Sequence, residues 1–291
     1  MLKQRIITGL VLAIVAISAI FLLPALYFEL FLGIVILLAA WEWTYLIDLD
    51  KLFHKIGFLI LLLIPMGCVA YWPQFLEVIA RVTDIPEIRK WSGAIEWSAF
   101  VPALFWMVMM LLIRNVPDAL LELKFKPGFQ VVTGWFVLVS AWIFVSILRA
   151  YYGPEAVLYL LVLIWAADIA AYFAGKKFGK EKLAPSISPG KTVEGMYGAL
   201  VAGAVCAVVL DVFYQYPLKV SFDFVLLSVL TVLVSIYGDL FFSLMKRKKG
   251  VKDSGFLLPG HGGILDRIDS IIAAAPFYYA GFHLVSRNIF E

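Results

Sequence analysis

Nine apolar stretches, each near the length a helix needs to cross a bilayer, follow one another along this chain of 291 residues. They lie at about 6–23, 27–47, 56–72, 98–113, 131–148, 156–175, 194–214, 222–243 and 269–287. A spanning helix needs roughly 20 apolar residues to match a hydrocarbon core about 30 Å thick. In lipid the backbone N–H and C=O groups find no water, so runs of this kind must cross with their hydrogen bonds closed inside a helix. Composition agrees, with 63% hydrophobic and 15% charged residues, where a soluble domain is about half apolar and a quarter charged. The expected fold is therefore all-α, a polytopic integral membrane protein with about nine transmembrane helices. The basic start, Met1 to Arg5, leads into a run from Ile6 to Leu23. That run is longer than a signal-peptide core and lacks a good cleavage site, so it reads as a retained first span. Cys68 and Cys206 both lie inside apolar runs and read as small buried hydrophobes.

Charge placement gives an orientation. With the N-terminus in the cytoplasm and nine alternating spans, 18 of the 24 Lys and Arg residues fall on the cytoplasmic side and 6 on the other. Cytoplasmic loops carry such an excess. The net charge of +3, clustered near span ends, favours anionic headgroups over nucleic acid as a partner. The chain divides into N-terminal transmembrane helices over 1–150, with an outside loop at 73–97, and a C-terminal transmembrane region over 151–291, which holds the motifs described next. The latter has cytoplasmic loops at 176–194 and 244–268. The 73–97 segment, with Trp91 and Trp97, reads as interfacial.

The densest chemistry lies between Ser243 and Asp269. There Lys246, Arg247, Lys248, Lys249 and Lys252 are followed by Asp253, then Pro259-Gly260-His261-Gly262-Gly263, then Asp266-Arg267 and Asp269. Cations and backbone N–H groups neutralise phosphate oxygens, glycines permit close approach, and carboxylates hold Mg²⁺. A solvated basic loop that only sets topology would need neither the paired acids nor the Gly-His-Gly-Gly turn. Asp266 and Asp269 stand at i and i+3, on one helical face.

This stretch resembles the signature of the phosphatidate cytidylyltransferases, or CDP-diglyceride synthases. The matching positions are Ser243, Lys246-Arg247, Lys252-Asp253, Gly255, Leu258-Pro259, His261-Gly262-Gly263, Asp266-Arg267 and Asp269. The resemblance implies the reaction CTP + phosphatidic acid → CDP-diacylglycerol + pyrophosphate, with Mg²⁺ as cofactor and a second cation left open. On that implication, Asp239, Asp266, Asp269 and Asp253 are candidate metal ligands. Lys246, Arg247, Lys252 and Arg267 would offset pyrophosphate charge, and His261 would donate a hydrogen bond. Ser243, Gly262 and Gly263 join the substrate-binding set. The implied setting is a bacterial-type inner membrane with the active site in the cytoplasm; a homodimer is compatible with it.

A second region supports the first. Asp168 lies in the sixth run, and the basic segment after it ends in Ser186, Ser188, Pro189, Gly190, Lys191 and Thr192. Ser-Pro-Gly-Lys-Thr lacks the first glycine of a P-loop and follows no strand, so a P-loop NTPase is rejected. A phosphate cradle at a helix N-terminus remains, with Ser188, Lys191, Thr192 and Asp168 as substrate-binding candidates. A similar loop occurs in these cytidylyltransferases, extending the resemblance over about 165–270. Glu29 and Glu42 read as interfacial packing, and Asp211 as facing the far interface. A secondary transporter would use intramembrane acids, but these lie toward one membrane face and no internal repeat is present. A polyprenol kinase is the other enzyme reading; the motif series of CDP-alcohol phosphotransferases is absent.

Overall fold

The computed structural model describes residues 2–258, 260 and 262–290, with side-chain environments for 7–286 apart from 259 and 261. The helices of the first half are α1 (Leu2–Leu22), α2 (Ala25–Leu46), α3 (Leu52–Ala70) and α4 (Trp72–Thr83). A 3₁₀ segment (Pro86–Gly93) then leads into α5 (Ala94–Trp97), α6 (Phe100–Asn115) and α7 (Pro117–Glu122). The second half holds α8 (Pro127–Phe178), a hairpin of β1 (Lys182–Ala184) and β2 (Ser188–Thr192), then α9 (Val193–Tyr214), α10 (Leu218–Lys249) and α11 (Leu265–Phe290). The fold is an all-α polytopic membrane protein. Among the described residues, seven helices are long and apolar enough to cross a membrane, and the apolar part of α1 is a shorter stretch, Ile7–Leu22.

Two of the nine expected runs share α8. Its 52 residues would extend roughly 78 Å at 1.5 Å per residue, more than twice the hydrocarbon thickness. The chain breaks it at Gly153, whose φ of 86° and ψ of 175° are non-helical. Pro154 follows; it disfavours helical geometry in the residue before it and suits the first turn of a new helix. Both arms therefore run between Pro127 and Phe178 without one over-long span.

Helices α8, α10 and α11 sit at the centre. They contribute to an apolar cluster around Phe144, Leu160, Tyr278 and Tyr279, and to a second around Trp43, Trp106, Phe241 and Phe242. Outward faces carry Ile14, Leu63, Val205 and Phe213, exposed in the protein alone and suited to lipid tails. Helices α10 and α11 touch closely: a Cβ on Gly238 would lie 2.3 Å from that of Ala273. Small residues bring membrane helices together in this way, and here the contact sets Asp239 beside the Asp269 turn.

Three expected loops prove to be structured. The 73–97 segment is helical: α4, the 3₁₀ segment and α5. It is tied by Arg81 and Arg89 to Glu77 at 2.8 and 2.6 Å, and the two guanidiniums, Arg89 first, hold that carboxyl down at about 2. The 176–194 loop starts later, because α8 continues to Phe178, and then folds into the hairpin. The strands pair antiparallel with Lys182 opposite Thr192 and Ala184 opposite Ser188. Ala184 and Ile187, buried at 1% and 0% exposure, pin it to the second core cluster. The 244–268 loop is shortened because α10 carries its basic run as a last turn to Lys249, where cations suit the helix dipole. Gly250 ends it in the left-handed region, φ 76°.

Candidate active site

Two ion pairs organise this region, one joining the hairpin to α10 and the other closing the signature stretch on itself. Lys191 Nζ, at the end of the hairpin, lies 2.7 Å from Asp239 Oδ2 on α10. It also donates to the carbonyl of Ile236 at 3.2 Å. Asp239 Oδ1 accepts from Ser243 Oγ one turn on, at 3.3 Å. The second pair is more buried: Lys246 Nζ meets Asp266 Oδ1 at 2.7 Å, with side-chain exposures of 10% and 5%. Asp266 Oδ2 accepts from the backbone N–H groups of Ser254 and Gly263 at 2.8 and 3.0 Å. Asp269 is buried, accepts from its neighbour's N–H on Ser270 at 2.8 Å, and is within electrostatic reach of Asp239, Lys246 and Lys191. Asp168 likewise feels Lys191, Asp239 and Arg267.

A cavity of about 380 Å³ opens at the Lys191 and Asp168 end of this cluster. Asp168, Tyr172, Lys176, Lys182, Lys191 and Thr192 contribute to its walls. Lys182 and Lys191 of the hairpin, with Lys176 and Asp168 of α8, line a pocket whose lysines suit phosphate groups.

Several expected residues have structural partners. Thr192 is the N-cap of α9, its Oγ1 accepting from Gly195 N at 3.1 Å. Arg247 donates through Nε to the carbonyl of Ile187 and through Nη1 to that of Val251, each at 3.1 Å. It therefore ties the hairpin turn to the end of α10, joining the two motif regions. Ser188 lies in β2, Gly262 bridges to Leu258 with φ 80°, and Arg267 is exposed on the first turn of α11. Lys252 and Asp253 are exposed. His261 lies outside the described residues.

The candidate ligands Asp239, Asp266 and Asp269, expected to converge, and Asp253 do not form one preassembled donor group among the described residues. Among the described residues no three His, Cys, Asp or Glu side chains form a group that could hold an ion. Both oxygens of Asp266 are engaged by Lys246 and the loop amides, and Asp253 is exposed on the loop. Mg²⁺ is commonly held by one or two carboxylates, completing its shell with water and substrate phosphate. Asp239 and Asp269, neighbours on α10 and α11, make such a smaller set, in which an ion would displace Lys191 from Asp239 Oδ2.

Sequence reasoning missed Glu42. It is 3% exposed and accepts from Ser254 Oγ and Leu265 N through Oε2, at 2.8 and 2.9 Å, and from Ile264 N through Oε1 at 3.0 Å. Its one available signal was a carboxylate inside an apolar run.

The chain matches the cytidylyltransferase family over residues 3–285. It belongs to that family. Among its relatives, a Pseudomonas aeruginosa protein named phosphatidate cytidylyltransferase is 37% identical over 287 residues, covering 96% of each chain. A Haemophilus influenzae protein of the same name is 36% identical over 288 residues, covering 96% of this chain and 97% of that one. A Bacillus subtilis protein, also so named, is 46% identical over 131 residues, 44% of this chain and 47% of its own. Membership in this cytidylyltransferase family agrees with the resemblance carried by the Ser243–Asp269 stretch.

Proposed function

We propose that this cytidylyltransferase transfers CMP from CTP to phosphatidic acid, giving CDP-diacylglycerol and pyrophosphate. The observation that carries the reading is the meeting of the Lys191 hairpin with Asp239 on α10, beside a cavity walled by lysines. The names of the two near full-length relatives support it. A phosphate oxygen of phosphatidic acid forms a bond to the α-phosphorus of CTP, and the bond from that phosphorus to the pyrophosphate oxygen breaks. Attacker and electrophile are both anionic, so alignment and charge neutralisation carry the catalysis. Lys191 and Lys182 bind nucleotide phosphate, the Thr192-capped start of α9 orients the hairpin, and Arg267 and Lys252 face the departing pyrophosphate. Asp239 and Asp269 would hold a Mg²⁺ ion, which supplies charge neutralisation at the reacting phosphates.

The setting proposed is the inner membrane of a bacterial cell, with the N-terminus and this site in the cytoplasm, as the asymmetry of 18 to 6 basic residues supports. A homodimer fits the reading equally with a monomer. The deciding experiment is turnover of labelled CTP by purified protein in mixed micelles, with phosphatidic acid against a polyprenol. Pyrophosphate release with phosphatidic acid alone is expected; polyprenol-dependent CTP use would replace the assignment with a kinase. Engineered cysteines in 180–190 and 250–258 are expected to react with a membrane-impermeant reagent only from the cytoplasmic side, and those in 84–92 only from the other; the reverse pattern overturns the orientation.

Lys191→Ala is expected to raise the KM for CTP about tenfold, one charge-assisted phosphate contact, while the KM for phosphatidic acid stays within about twofold. An equal or larger effect on the lipid would move the hairpin from nucleotide to headgroup.

A further inference from the structure

The signature loop between α10 and α11 is held by a residue from the other half of the chain. The loop's amides at Ile264 and Leu265, and the Ser254 hydroxyl, all donate to the Glu42 carboxylate of α2. Residues at the start of a helix have N–H groups with no intrahelical acceptor. At α11, Asp266 takes the Gly263 N–H and Glu42 takes the next two. A carboxylate on another helix therefore does what a capping side chain normally does locally. The fit around it is tight. A Cβ on Gly263 would lie 2.1 Å from Glu42 Oε2, and one on Gly255 would lie 2.5 Å from Oε1. Two loop glycines are thus required by the carboxylate they surround.

We propose that Glu42 is a positioning residue for the transfer reaction. It fixes the first turn of α11, and with it the placement of Asp266 and Asp269 against Lys246 and Asp239, without touching substrate. Helix α2 is then part of the catalytic apparatus rather than membrane anchoring alone. A buried carboxylate with three donors is a strong, directional tie. The alternative, a carboxylate retained only for folding, would change the amount of folded protein and leave the properties of each folded molecule alone.

The inference rests on the proposed CTP:phosphatidate reaction for its kinetic arm only. Glu42→Gln keeps the volume but turns an amide NH₂ toward a backbone donor, so one loop N–H, of Ile264 or of Leu265, loses its acceptor. In folded, monodisperse Glu42→Gln, kcat is expected to fall about 100-fold, the scale of a catalytic group misplaced by about 1 Å, with the KM for CTP within about twofold. Glu42→Asp, which restores the charge on a shorter arm, should recover part of kcat. Amide hydrogen exchange in detergent should accelerate at 262–266 while α8 and α9 exchange as in wild type. Unchanged kcat per folded molecule overturns the proposal, as does a raised KM with unchanged kcat, or unchanged exchange at 262–266. If Glu42→Gln does not fold, Ser254→Ala removes one of the three donors, and a kcat and exchange rate equal to wild type would overturn it. Should the wild-type protein not turn over CTP with phosphatidic acid, the functional reading fails, and the exchange arm still reports on the clamp.

Discussion

Asp239→Asn is expected to lower CTP turnover by about 10²–10³-fold, while the protein stays folded in detergent. The magnitude follows from losing a preorganised charge at the reacting phosphates, typically about 10²–10³-fold for one group. The change also affects a second group. Asn keeps the side chain's shape and can accept from Ser243, but Lys191 loses its ionic partner at 2.7 Å. The residual activity should therefore show weaker dependence on Mg²⁺ concentration and a different salt response. Asp211→Asn serves as the control. Asp211 accepts from Ser221 Oγ at 2.6 Å between α9 and α10, a bond an Asn carbonyl can keep, and it is remote from the motif residues. Full Mg²⁺-dependent turnover by Asp239→Asn would remove that residue from the site.

The second large effect concerns stability. Lys246→Met leaves Asp266 charged and buried, with only the amides of Ser254 and Gly263 as partners. Breaking one partner of a buried pair costs about 3–5 kcal/mol. Adding Asp266→Asn removes the stranded charge, while the amide oxygen still accepts from the two N–H groups. Most of the lost stability should return in the double variant, measured by unfolding in mixed micelles. Turnover should not return. Additive destabilisation in the double variant would mean that the pair is not coupled as its geometry requires.

Much of this was readable from the chain. Apolar run length located the helices, and Gly153-Pro154 coincides with the one gap between runs that helix continuity hides. The basic run and the glycine after it marked the end of α10. Asp239 and Asp269 could be proposed from the family resemblance, with Asp269 also sharing a helical face with Asp266. What could not be read depends on contact between distant segments. Glu42 and its partners are separated by 212 to 223 residues, so nothing local distinguishes it from an interfacial acid. The hairpin carries Pro189 and Gly190, poor strand formers, and exists because Ala184 and Ile187 bury into a core built by other helices. Arg247 and Thr192 were of the right chemical type for phosphate, and the structure uses both to hold the hairpin in position. Periodicity can bring Asp266 and Asp269 to one helix face but cannot say that both oxygens of Asp266 already have donors.

The Lys191–Asp239 contact has a consequence for the order of events. Each group satisfies the other, so the pair presents little net attraction to a stray cation or a stray anion. On the proposed function, a nucleotide phosphate that took Lys191 would free a carboxylate, and a cation that took Asp239 would free an ammonium. Each arrival therefore lowers the cost of the other. By reciprocity the cation must tighten nucleotide binding by the same factor that the nucleotide tightens cation binding. On the proposed reading, the site would be a partner-exchange switch, off when either substrate charge comes alone and on when opposite charges arrive together.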